Sequence, residues 1–346
     1  MAKRILSGMR PTGKLHLGNV MGALSNWVKM QNEPDSECFY MVADWHALTT
    51  DYADTDMIET NVQEMVTDWL ASGIDPEKAV VFRQSWLTEH SELALILSMI
   101  TPISWLERNP TYKQQVVELA DRDVSTHGFL GYPVLQAADI LLYNATHVPV
   151  GEDQLPHLEL TREIARRFNF IYKRPVLTEP QAILSQTPKV QGLDGRKMSK
   201  SYDNCIYLTD GDAELRKKIQ SMYTDPKKIR ANDPGHPEPC AENEPGCVVY
   251  AMHKIYEGSE QKVKARGDAC RSGSLGCVAC KKDLHQEMAA ALGPMQEKRK
   301  SFEGKKGLVD DILIEGSKRA GERAGRTLGE VRRAIHFQPR PAVAPI

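Results

Sequence analysis

Apolar positions recur along the first half of this chain at two periods that take turns. Arg4 to Met9 predicts a short strand, and Val20, Leu24 and Trp27 follow it at helical spacing. Cys38 to Asp44 is an apolar run closing on one carboxylate, the pattern of a strand buried on both faces. Ile58, Val62, Met65 and Trp69 then recur every three or four residues, and Gly73 ends that helix. Ala79 to Phe82 predicts the next strand, with Leu93 to Ile100 helical behind it. His147 to Val150 is a further strand, and Leu160, Ile164 and Phe168 form one stripe of the following helix. Strand and helix in alternation predict an α/β fold, a parallel sheet covered on both faces. Ligands of such sheets sit at the carboxyl ends of the strands, where His16 and His46 both fall.

Residues 105–128 are polar and irregular, which predicts a helical insertion between the two halves of the sheet. Tyr132 to Tyr143 is an apolar helix carrying one ionised group, Asp139. From about residue 204 the strand signals stop. Segments 211–222, 246–257, 281–300 and 316–335 read as helices, Pro226 to Gly246 as loop, and 336–346 as a tail with three prolines. A division follows: an α/β domain over 1–203 and a helical domain over 204–335.

Composition adds an asymmetry. The 346 residues are 41% hydrophobic and 26% charged, ordinary for a soluble globular protein with room for two domains. No apolar run suits a bilayer crossing or a leader behind Met1, so the cytoplasm is the expected place. The net charge of −2 hides a split: from Gly211 onward there are 25 basic against 19 acidic residues, and before it 19 against 27. A basic C-terminal half on an acidic body suits a polyanionic partner.

Two stretches carry candidate chemistry. Asp194 to Ser201 (Asp-Gly-Arg-Lys-Met-Ser-Lys-Ser) packs Lys197 and Lys200, three apart, with hydroxyls and a glycine. Such a loop fits a phosphate chain, although most short Lys/Ser runs are merely solvated. Pro11 to Asn19 (Pro-Thr-Gly-Lys-Leu-His-Leu-Gly-Asn) lies between the first strand and its helix, where a nucleotide can rest against backbone. It is neither a dinucleotide fingerprint nor a P-loop. Asp139 is a third candidate. A lone carboxylate on so apolar a helix needs a partner, either a polar atom of an otherwise apolar ligand or a buried basic residue.

A third constellation is Cys247-x22-Cys270-x6-Cys277-x2-Cys280, with Cys240 to spare. Four thiols in a chain expected to be cytosolic read as a metal site before a disulfide framework. Structural Zn²⁺ is the commoner tetrathiolate ion, and iron–sulfur clusters also take four cysteines.

The two loop stretches together resemble the paired signatures of class I aminoacyl-tRNA synthetases. His16-Leu17-Gly18-Asn19 stands at the His-Ile-Gly-His motif, with Asn19 in place of the last histidine, and Lys197 to Ser201 match Lys-Met-Ser-Lys-Ser residue for residue. The run Ala137 to Asn144, with Val148 to Gln154, is similar to the tryptophanyl-tRNA synthetases, a resemblance that covers nearly the whole chain. Tyr132, Gln136 and Asp139 also resemble the side-chain pocket of the tyrosyl enzymes.

The resemblance implies a Rossmann-like catalytic domain, a helical anticodon-binding domain, a homodimer, and charging of tRNA(Trp) with L-tryptophan at the expense of ATP and Mg²⁺. It implies roles as well. His16, Lys197, Lys200 and Arg10 would serve catalysis. Pro11, Thr12, Gly18, Asn19, Gly151, Glu152, Asp153, Val190, Met198, Ser199 and Ser201 would join them around ATP. Asp139 would take the indole N–H, with Tyr132, Gln136, Gln154 and His46 around the amino acid. A subset of the family shows this cysteine spacing and holds a [4Fe-4S] cluster, which shifts the expectation from zinc to iron for Cys247, Cys270, Cys277 and Cys280. Alternatives remain: a tyrosyl enzyme, a metal-cluster RNA-binding module without adenylation, or a nucleotidylyltransferase, though the last would lack Asp139 and the basic helical half.

Overall fold

The computed structural model describes residues 3–118, 124–184, 190–239 and 246–338. Cys240, the far end of the tail and part of the 105–128 insertion lie outside these. Five strands, β1 (Lys3–Met9), β2 (Ser36–Val42), β3 (Ala79–Arg83), β4 (His147–Val150) and β5 (Gln181–Leu184), form one parallel sheet in the order β3-β2-β1-β4-β5. The order reverses between β1 and β4, which opens a crevice at their carboxyl ends. The expected Rossmann-like fold is therefore present. β5 is a strand that the Pro-containing connection before the lysine loop conceals in sequence.

The first strand leads through one turn, α1 (Leu17–Asn19), and a wide turn over Val20–Leu24 into α2 (Ser25–Gln31). Then come α3 (Asp44–Asp51), α4 (Ile58–Ala71), α5 (Thr88–Ser98), α6 (Ile103–Arg108), α7 (Pro110–Glu118), α8 (His127–Leu142) and α9 (Leu155–Tyr172). One core lies on the α2 and α4 side of the sheet. Trp27 stacks on Tyr40 with centroids 4.5 Å apart and meets Trp69 edge-on at 5.0 Å, all three buried. Such pairs add about 0.5–1.5 kcal/mol each beyond the area they bury. The Tyr40 hydroxyl donates to the Trp27 carbonyl at 2.7 Å, so its polar end is satisfied inside.

Beyond the lysine loop the chain is helical: α10 (Asp212–Ser221), α11 (Val248–Tyr256), α12 (Glu260–Arg271), α13 (Cys277–Glu303) and α14 (Leu308–Ala334). The very polar α12 carries no apolar stripe, and its pattern in sequence does not announce it. α14 returns to the sheet. Its Ala320, Ala324, Leu328 and Val331 share one buried core with Leu6, Phe39 and Phe82. The approach is so close that a Cβ on Gly316 would stand 1.7 Å from the Val81 carbonyl oxygen.

Candidate active site

Two cavities open at the carboxyl edge of the sheet, and Arg10, just past β1, lines both. The larger, about 830 Å³, is lined by Pro11, Thr12, Asp51, Asn61, Lys200 and Ser201 among others. The smaller, about 420 Å³, is lined by His46, Tyr132, Gln136, Asp139, Gly151 and Gln154. All five residues expected around the amino acid line the smaller cavity, whereas of those expected around ATP only Arg10, Pro11, Thr12, Lys200 and Ser201 line the larger, and Gly151 lines the smaller instead. Glu152 and Asp153 are exposed on the turn after β4, where Asp153 accepts from Gln154 at 2.9 Å.

The glycine turn is shaped around His16. Asn19 Oδ1 accepts from the His16 backbone N–H at 3.2 Å, and the imidazole lies over Gly18. A Cβ there would be 2.9 Å from Nδ1 and Cε1, so Gly18 makes room for the histidine ring. His16 Nδ1 is buried without a partner. Burial, followed by the charges of Lys200 and Lys197, lowers the His16 pKa to about 4. The imidazole is therefore neutral at pH 7 and keeps one N–H to donate to an anion.

The lysine loop is organised by a residue the sequence did not single out. Asn204 Oδ1 accepts from Ser199 N at 2.8 Å, while Nδ2 donates to Asp194 at 2.7 Å and to the Lys197 carbonyl at 3.2 Å. Met198 and Val190 are buried together with Leu17, so they pack the loop onto the glycine turn. Lys200 Nζ donates to the Thr12 carbonyl at 3.0 Å, linking the two signature loops. Burial lowers its pKa. Lys197 stays exposed.

Asp139 is 2% exposed, and three side chains share its carboxylate. His46 Nε2 lies 2.8 Å from Oδ2, His90 Nδ1 2.7 Å from Oδ1, and Gln84 Nε2 2.9 and 3.0 Å from the two oxygens. Burial by itself would raise the Asp139 pKa, but the bonds from His46 and His90 outweigh it and hold the group below its ordinary value. An ionised acceptor therefore stands at the wall of a cavity that mixes apolar side chains with Arg10, His46, Gln136 and Gln154. Gln84 is oriented by Trp45 N–H, which donates to its Oε1 at 3.1 Å. Gln84 and His90 escaped the sequence reading; the place of Gln84 directly after β3 was the one available signal. Tyr132 meets His157 Nε2 at 2.8 Å, and Asn109 Nδ2 meets His157 Nδ1 at 3.2 Å. A neutral His157 that accepts from Asn109 must donate to the Tyr132 oxygen, leaving the phenol proton free for the cavity.

The four cysteines also converge. Cys247, Cys270, Cys277 and Cys280 line one cavity with Arg266 and Tyr250, and none forms a disulfide. Burial raises the Cys280 pKa to about 12. A neighbouring acidic group, His253, Glu257 and Glu287, brings its ligand atoms within 4.8 Å of one another. Arg266 already bridges Glu257 and Glu287 at 3.0 and 3.2 Å, so a cation occupies the place a metal would take.

Comparison with known proteins agrees with this geometry. Residues 2–293 match the family described as tRNA synthetases class I (W and Y). The chain is 53% identical over 334 residues to a tryptophan–tRNA ligase of Thermotoga maritima, covering 96% of this chain and 99% of that protein. It is 43% identical over 403 residues to that of Aquifex aeolicus, covering 96% and 100%. The crystal structure of tryptophanyl-tRNA synthetase from Campylobacter jejuni complexed with ADP and tryptophan superposes with a TM-score of 0.84 at 32% identity, covering 96% of this chain and 100% of that one. With its parallel sheet, its two signature loops and the lone buried carboxylate of its smaller cavity, the chain belongs to the class I tryptophanyl-tRNA synthetases.

Proposed function

We propose that the enzyme, which activates L-tryptophan with ATP and transfers it to tRNA(Trp), does so across the junction at Arg10. The observation that carries the assignment of roles is that Arg10 lines both cavities, the one holding Asp139 and the one holding Lys200. Tryptophan lies in the smaller cavity with its indole N–H on Asp139, and its carboxylate points toward Arg10. ATP, brought as its Mg²⁺ complex, lies in the larger. A carboxylate oxygen attacks the α-phosphorus, the bond to the bridging oxygen breaks, and pyrophosphate leaves. His16 donates to a phosphate oxygen, and Lys197 and Lys200 take up charge on the leaving group. Arg10, Pro11, Thr12, Asn19, Ser199 and Ser201 frame the nucleotide. Positioning and charge stabilisation supply the catalysis. In the second step the 3′-terminal ribose hydroxyl of the tRNA attacks the acyl carbon and releases AMP.

We further propose that the cysteine cavity holds a [4Fe-4S] cluster. The observation behind this reading is that the four thiols line one cavity, which suits a four-thiolate metal group. The choice of iron over zinc rests on the cysteine spacing shared with a subset of the family. When bound, such a group draws the helix ends together, and no redox step is assigned to it. The helical segments of 204–335 then present a basic surface to the anticodon arm. The working form is a cytoplasmic homodimer, a reading supported by the family; no described helix is long and apolar enough to cross a membrane.

The deciding experiment is amino-acid-dependent ATP–pyrophosphate exchange, with tryptophan and tyrosine side by side. Exchange with tryptophan and not with tyrosine is expected. Exchange with tyrosine would overturn the role of Asp139's slot.

A further inference from the structure

Leu15, the residue before His16, is held through both of its backbone polar groups by one distant helix. Its N–H donates to Asp68 Oδ2 at 3.4 Å, and Asp68 Oδ1 accepts from Arg299 Nε at 2.6 Å. Its carbonyl accepts from Leu208 N at 3.2 Å. The Leu208 carbonyl accepts in turn from Gln296 Nε2 at 3.1 Å, and the same amide reaches the Asp210 carbonyl at 2.9 Å. Gln296 and Arg299 are three residues apart on α13 and so share a face. Two independent routes, one through α4 and one through the segment after the lysine loop, end on that face.

This arrangement is costly for a merely structural contact. Asp68 is 0% and Arg299 6% exposed, and Arg299 also meets Glu64 and Glu303. Buried ion pairs contribute little net stability over apolar residues of the same size. What they do supply is direction: a guanidinium with fixed geometry holds Asp68 in one orientation. Leu15 is itself 3% exposed, and the next amide but one, Leu17 N–H, donates to the Ile206 carbonyl at 2.9 Å. His16 therefore stands between two anchored neighbours.

We propose that Gln296 and Arg299 are positioning residues for tryptophan activation, acting from α13 to hold the His16 turn where the imidazole meets the nucleotide. The proposal rests on the reading of His16 as a phosphate ligand. Neither residue lines either of the two cavities.

The test is ATP–pyrophosphate exchange with Gln296→Ala and Arg299→Lys, each alone and combined with His16→Ala, alongside thermal unfolding. Arg299→Lys keeps the charge but loses the fork, and Gln296→Ala leaves no buried charge unpaired, so both are expected to fold. Each single change should lower kcat about tenfold, the cost of a small misplacement, while KM for tryptophan stays within about twofold. In the His16→Ala background neither change should cost anything further, because the group they position is gone. Folded variants with unchanged kcat would overturn the proposal. So would losses that persist undiminished beside His16→Ala. If His16→Ala itself leaves exchange intact, the phosphate role of His16 falls and takes the proposal with it.

Discussion

Gln84 Nε2 stands 2.9 and 3.0 Å from the two oxygens of Asp139 and so bridges a buried carboxylate from 55 residues away. With His46 and His90, whose bonds hold the Asp139 pKa below its ordinary value, Gln84 fixes the orientation of the carboxylate. Asp139→Asn puts a donor where three donors already converge. A hydrogen bond to a charged group contributes about 1.5–3 kcal/mol, so kcat/KM for tryptophan should fall about 10- to 100-fold, with KM for ATP little changed. Steady-state exchange with each substrate varied checks this, and equal losses on both would refute the assignment.

Gly18→Ala separates activity from stability. Alanine in the turn carries a better helix propensity by about 0.5–1 kcal/mol, yet its Cβ would meet the His16 ring at 2.9 Å. The expected variant melts at or above the parent temperature but exchanges pyrophosphate at least about tenfold more slowly. A variant with full activity would show that the ring position is not needed.

His16 titrates at about 4, lowered by burial first and then by Lys200 and Lys197. Its ordinary value is 6.5, so the unfolded chain takes up this proton before the folded one does. The histidine's contribution to stability is thus complete above pH 6.5 and is lost as the pH falls toward about 4. Imidazole NMR should place the midpoint near 4, and His16→Asn should soften the acid loss of stability over the same window. A midpoint near 6.5 would contradict the buried environment.

Gly316→Ala tests the return of the last helix. With a Cβ 1.7 Å from the Val81 carbonyl, α14 must lift off β3. A loss of about 3 kcal/mol is expected, as for an overpacked core, read as a lower midpoint in denaturant. No change would mean the helix does not lie on the sheet.

Cys277→Ser tests the cluster. Iron and acid-labile sulfide should fall together, and tRNA charging should weaken while tryptophan-dependent exchange persists. Stoichiometric zinc in the parent protein would favour a single ion in that cavity, and normal iron in the variant would remove Cys277 from the ligand set.

Local pattern determined much of this protein. A strand or a helix stripe is written within about ten residues, so the alternation from Arg4 to Phe168 was enough to predict the parallel sheet. The two signature loops were legible because each packs its characteristic residues close together in the chain. Asp139 stood out because a charge on an apolar helix is costly unless something pays it back. Tertiary structure decided the rest. β5 is four residues long, and α12 has only small or isolated apolar residues that form no stripe, so neither signals itself by periodicity. Gln84, His90 and Asn204 are ordinary polar residues whose partners are set by which strand ends and turns meet in space. The path of α14 back onto the sheet likewise depends on one close approach at Gly316, a contact between segments more than 230 residues apart that no local window contains.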